Sequence, residues 1–94
     1  MLLQNKTTTD VKVFPTQSKG KLFISMANNT DDDFVWITYT DIVGKSRYKE
    51  LINIRDGVNT YEASRFINLN SGIYFIQITR ENQEVIINQK IIKE

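Results

Sequence analysis

Apolar and polar residues alternate with a period of two along most of this chain, and clusters of turn-forming residues interrupt the alternation at short intervals. The apolar runs are VKVF (11–14), KLFISM (21–26), FVWITYTDIV (34–43), RYKELINI (47–54), VNTYEA (58–63), GIYFIQITR (72–80) and EVIINQKIIK (84–93). Each is rich in β-branched and aromatic residues, which favour strands. Between them stand Pro15 to Gly20, Asn28 to Asp33, Gly44-Lys45, Asp56-Gly57, Asn70-Ser71-Gly72 and Glu81-Asn82-Gln83, all chemically suited to turns. Connections this short join antiparallel neighbours and leave no room for crossover helices. The only helix candidate is a turn near Ala63 to Phe66.

The alternation also predicts the core. Tyr74, Ile76 and Ile78 share one face of their strand, with Gln77 and Thr79 opposite and Ile73 and Phe75 partly covered. Leu22, Ile24 and Met26 do the same in the second run, Val35, Ile37 and Tyr39 in the third, and Val85, Ile87 and Ile91 in the last. Phe34 and Trp36 then fall on the outer face. An all-β, antiparallel β-sandwich of seven strands is the least strained way to bury this pattern.

Composition adds limits. With 94 residues, 40% hydrophobic and 24% charged, the chain has enough apolar material for one core and too little for a second. Residues 4–10, QNKTTTD, are polar and aperiodic, so residues 1–10 read as a linker or tail and residues 11–94 as the folded domain. There is no cysteine and no histidine, which removes disulfides, thiolate chemistry, the usual general base and the commonest metal ligand. Five serines, at 18, 25, 46, 64 and 71, have no histidine to activate them, so an enzyme is not expected and no cofactor is implied. A net charge of +1 nominates neither nucleic acid nor an anionic membrane. Met1-Leu2-Leu3 is too short for a signal-peptide core, so any export signal is expected elsewhere.

The remaining local patterns have ordinary structural readings. Asp31-Asp32-Asp33 lacks the spaced ligands of a calcium loop and reads as a solvated turn. Asn5-Lys6-Thr7 and Asn28-Asn29-Thr30 match the N-glycosylation pattern without further support. Gly20, Gly44 and Gly72 suit left-handed or tight-turn geometry, Pro15 ends a strand, and Tyr74 is a core residue with its hydroxyl at the rim. Lys90 and Lys93 on the last strand are either edge protection or recognition groups.

Several ordered pieces resemble one known family, the type IX secretion system C-terminal sorting domain. VKVFPTQSKGKLFISM is similar to its opening, a V-x-V-aromatic strand, a proline turn closing on glycine, and a second strand. VWITYTDIVGKSR resembles its strand ending in D-x-x-G-K, and RDGVNTYEA its G-x-N-x strand. INLNSGIYFIQI resembles its L-x-x-G-x-Y-x-x-x-I motif, and NQKIIKE its lysine-bearing last strand. One departure is present: where the family reads Pro-x-Pro-x-x-Gly, this chain has Gln17 in place of the second proline.

The resemblance implies a seven-stranded immunoglobulin-like sandwich at the C-terminal end of a fused N-terminal cargo in a Gram-negative bacterium. The cargo would transit the periplasm and be recognised by the type IX translocon. An outer-membrane β-barrel shuttle protein would then collect it, and a sortase-like cysteine protease would often remove the domain at the cell surface. Candidate recognition or family-motif residues are Pro15, Gly20, Asp41, Gly44, Lys45, Gly72, Tyr74, Lys90 and Lys93. The alternative reading is an immunoglobulin-like adhesion or carbohydrate-binding module, which needs Trp36 coplanar with Tyr39, Tyr48 or Tyr61; an enzyme fragment is the distant third. Charges spread evenly along the sequence and open sheet edges predict a homodimer through edge strands at high concentration.

Overall fold

The computed structural model describes residues 9–28 and 31–94. The strands are β1 (Thr9–Phe14), β2 (Gln17–Ser18), β3 (Phe23–Asn28), β4 (Phe34–Asp41), β5 (Ser46–Asn53), β6 (Gly57–Glu62), β7 (Gly72–Thr79) and β8 (Val85–Lys93), with a 3-10 turn at Phe66–Asn68. Most of the expected tail lies outside the described residues, as does the pattern Asn5-Lys6-Thr7, and Asn28-Asn29-Thr30 runs into them. β1 begins at Thr9.

Two sheets form, β1-β3-β6 and β2-β8-β7-β4-β5. Each of the seven apolar runs supplies one long strand. The eighth strand arises because the first run and its turn divide between the sheets. Pro15 has no N–H to continue the β1–β3 ladder, so β1 stops at Phe14. The chain then crosses over, and Gln17 and Ser18 lie parallel to Ile92 and Lys93 of β8. The Thr16 carbonyl accepts from Ile92 N at 2.9 Å and the Ser18 carbonyl from Glu94 N at 2.8 Å. Among the described residues this short pair is the one parallel contact in a frame that is otherwise antiparallel, as the short connections require.

One buried cluster draws on both sheets. Val13, Leu22, Ile24 and Met26 come from the β1–β3 side, and Val35, Ile37, Tyr39, Tyr74, Ile76, Ile78 and Ile91 from the facing sheet. Phe66 and Leu69 close one end of it. Alternation therefore places the core correctly in β3, β4 and β7. It fails at the start of β8, where Val85 is 50% exposed and Ile87 only partly buried. The register slips there: Ile78 faces Ile87, but Thr79 faces Val85, so Ile86 is an extra residue in the strand. Past the bulge the phase recovers, and Ile91 and Lys93 point inward.

Candidate functional site

The strands run so that the proline turn, the 41–45 hairpin, the 63–71 connection and the end of β8 all gather at one end of the sandwich. In the ladder Asp41 faces Tyr74, Tyr74 faces Ile91, Gly72 faces Lys93, and Ser18 faces Lys93. Pro15, Gly20, Asp41, Gly44, Lys45, Gly72, Tyr74 and Lys93 thus share this end, although they are scattered in sequence. Lys90 stands apart, three residues back along β8 opposite Phe75.

Asp41 builds the hairpin. Its Oδ1 accepts from Val43 N at 3.1 Å and Lys45 N at 2.9 Å, and its carbonyl accepts from Gly44 N at 3.0 Å. Gly44 takes φ +90, the left-handed position that closes a type I turn into the next strand. Ile42 and Val43 are left at the tip, 66% and 82% exposed, and the Lys45 side chain is exposed beside them.

The second motif loop is tied from both sides. Gly72 has φ +154, as its turn position requires, and the Tyr74 hydroxyl donates to the Asn70 carbonyl at 2.7 Å while its ring is buried. Lys93 is buried, and its Nζ donates to the Leu69 carbonyl at 2.7 Å and lies 5.7 Å from the Phe66 ring centroid. A lysine that spends its charge inside the fold is neither edge protection nor an exposed group. Of its two expected roles Gly20 lacks the left-handed one, because it does not take positive φ and a side chain there would meet open space; it sits in a bend after β2. Its N–H donates to the Ser18 hydroxyl at 3.2 Å.

Charge is segregated by the fold despite its even spread in sequence. The end just described gathers Lys19, Lys21, Lys45, Arg47, Arg65 and Lys93 against Asp41, Glu50, Glu62 and Glu94. The opposite end gathers Asp31, Asp32, Asp33, Asp56, Glu81 and Glu84 against Arg55 and Arg80. There the Asp32 carboxylate pairs with Arg80 Nε at 2.7 Å, so the aspartate run anchors the β3–β4 turn to the β7–β8 hairpin. At the basic end a polar cavity of about 260 Å³ opens between the 41–47 hairpin and the 68–70 loop. Lys45, Arg47, Tyr48, Asn68, Asn70 and Tyr74 line it.

The pieces that converge here are those that carry a family pattern, and comparison with known families finds it over nearly the whole chain: residues 12–94 match the secretion system C-terminal sorting domain. The chain belongs to that family. No curated protein matches the chain. A sorting-signal family is not a class of enzymes.

The sorting domain contains a second polar cluster that the sequence reading missed. Glu50 of β5 accepts from the Tyr39 hydroxyl, from Ser64 Oγ at 2.8 Å and from Arg65 N at 3.1 Å. Burial, and after it the Glu50 carboxylate, pushes the Tyr39 hydroxyl above its ordinary ionisation range. The cluster ties β5 to the connection after β6. A signal for it exists in the sequence, since Glu50 falls in phase with Tyr48 and Ile52, both partly buried against the core. A carboxylate on an inward stripe calls for partners.

The aromatic residues of the sorting domain do not form a sugar-stacking platform. Tyr39 is fully buried, with Tyr48 edge-on to it at 6.3 Å, and Tyr61 accepts from Arg55 N through its hydroxyl. Trp36 lies on the other face of β4, edge-on to Phe34 at 6.1 Å with Lys49 Nζ 4.8 Å from its ring centroid.

Proposed function

We propose that residues 11–94 act as an address, directing a fused N-terminal cargo across the outer membrane through the type IX secretion system to the cell surface or the medium. The family match over residues 12–94 carries this reading. The cargo transits the periplasm, the translocon and a β-barrel shuttle protein handle the folded domain, and a sortase-like cysteine protease removes it. The strand order supports an immunoglobulin-like architecture: a first strand split between sheets, its second part parallel to the last strand, and β8-β7-β4-β5 as the larger sheet.

What is read is a folded surface, because the motif residues other than Lys90 meet at one end of the sandwich and hold its turns together. The recognition set consists of Pro15, Gly20, Asp41, Gly44, Lys45, Gly72, Tyr74 and Lys90, with Lys93 holding the end of β8 in place. Fusion of residues 1–94 to a periplasmic reporter in a bacterium with a type IX system should bring the reporter to the cell surface or the medium. A reporter that stays in the periplasm while the fused domain is folded rejects the reading.

A further inference from the structure

Resting on that reading, we infer that the basic end of the sandwich docks an acidic segment of a protein partner, seating one of its carboxylates in the cavity between the 41–47 hairpin and the 68–70 loop. Three observations converge on this surface. The cavity is lined by Lys45 and Arg47 together with the side-chain donors of Tyr48, Asn68 and Asn70. Arg47 meets Asp41 only at 3.8 Å and is 42% exposed, and among the described residues no ion pair engages Lys45, so both cations are open to a ligand. Beside them Ile42 and Val43 project into solvent from a turn whose geometry is already secured by Asp41 and Gly44.

The combination selects among anionic ligands. A cavity of about 260 Å³ admits a side chain but not a helix or a strand, so the ligand inserts one group and lays the rest across the rim. A membrane surface fits less well, because two aliphatic side chains are a small anchor where even a whole acyl chain holds only marginally. For one edge of a protein interface the same pair is an adequate apolar contact, flanked by charges that set orientation and association rate. Orientation also agrees. β1 starts at Thr9, opposite Asn28, so the described fold is entered at the acidic end, away from the cavity.

The test is a titration of isotope-labelled chain, residues 1–94, followed by amide shifts. The probe is a decapeptide of alternating Glu and Leu. Its Gln-and-Leu counterpart, inorganic phosphate and vesicles of anionic phosphatidylglycerol are run beside it. Saturable shifts confined to residues 42–48 and 68–70 are expected with the Glu peptide alone, weakening as salt shortens the screening length from about 10 Å at 0.1 M to about 3 Å at 1 M. Lys45→Glu with Arg47→Glu should weaken binding roughly tenfold or more, and Lys45→Arg with Arg47→Lys should keep most of it. The milder Lys45→Gln serves if the double reversal lowers the melting temperature. Equal binding by the Gln peptide, binding by vesicles or phosphate instead of the Glu peptide, or shifts elsewhere would overturn the inference. In the export assay the stable charge-reversed domain should fall well behind the unaltered one. Equal export of both would reject the docking surface and leave the sorting role intact, whereas failure of the unaltered domain would reject the sorting role itself.

Discussion

Single residues in this domain are legible from their backbone and their partners. Gly44 and Gln83 occupy equivalent positions in two hairpins: in each, the N–H of the left-handed residue returns to the carbonyl three residues earlier, with φ +90 at Gly44 and +73 at Gln83. Glycine is at ease there and glutamine is not. Gln83→Gly should therefore stabilise the fold modestly, since about 1 to 2 kcal/mol of strain is relieved against about 0.5 to 1 kcal/mol of extra freedom in the unfolded chain. Gly72→Ala should cost about 1 kcal/mol or more, because φ +154 suits only glycine. The two terminal lysines separate in the same way. Lys93→Gln removes the bond to the buried Leu69 carbonyl and should cost about 1 to 3 kcal/mol, whereas Lys90→Gln should stay within about 0.5 kcal/mol. Urea unfolding of the four variants measures all of this, and equal losses at 90 and 93 would contradict the buried role of Lys93.

At the scale of elements, β8 and the β4–β5 pair carry the informative differences. Ile91 is fully buried and Val85 half exposed beyond the bulge, so Ile91→Ala should cost about 2 to 5 kcal/mol and Val85→Ala no more than about 0.5 kcal/mol. The link between β4 and β5 through Tyr39 and Glu50 predicts a pH dependence. In the unfolded chain the Tyr39 hydroxyl ionises near a pKa of about 10, while in the fold it stays protonated to higher pH. Unfolding then releases a proton above about pH 10, so the stabilisation is present below that pH and is lost as pH rises, by about 1.4 kcal/mol per pH unit. The stability difference between the unaltered chain and Tyr39→Phe should shrink by about 1 kcal/mol between roughly pH 10 and 11, and more steeply above. A constant difference across this window would show that the hydroxyl ionises alike in both states.

The whole molecule presents sheet edges at β1 and β6 and at β2 and β5, and two ends of opposite charge. Edge strands with open N–H and C=O groups invite pairing, and the segregated charges add a preferred direction of approach. Dimers through these edges should form towards millimolar concentration and weaken with salt. Light scattering that shows a monomer from micromolar to millimolar concentration would remove this expectation.

Alternation of apolar residues was enough to place seven strands, their inward faces in β3, β4 and β7, and the turns at Gly44-Lys45 and Asn70 to Gly72, because side-chain phase in a strand and backbone chemistry in a turn are local properties. The family pattern was legible for the same reason, since its pieces are those strands and turns in order. Three features belong to the tertiary structure alone. The crossing of the chain at Pro15 into a parallel pair with β8 depends on a partner more than seventy positions away. The bulge that turns Val85 outward depends on the register that β7 imposes. The gathering of Lys45, Arg47, Asn68 and Asn70 around one cavity depends on strand direction, which decides the end at which each loop emerges. Local sequence sets each element's inner face, but the pairing of distant strands decides which loops become neighbours.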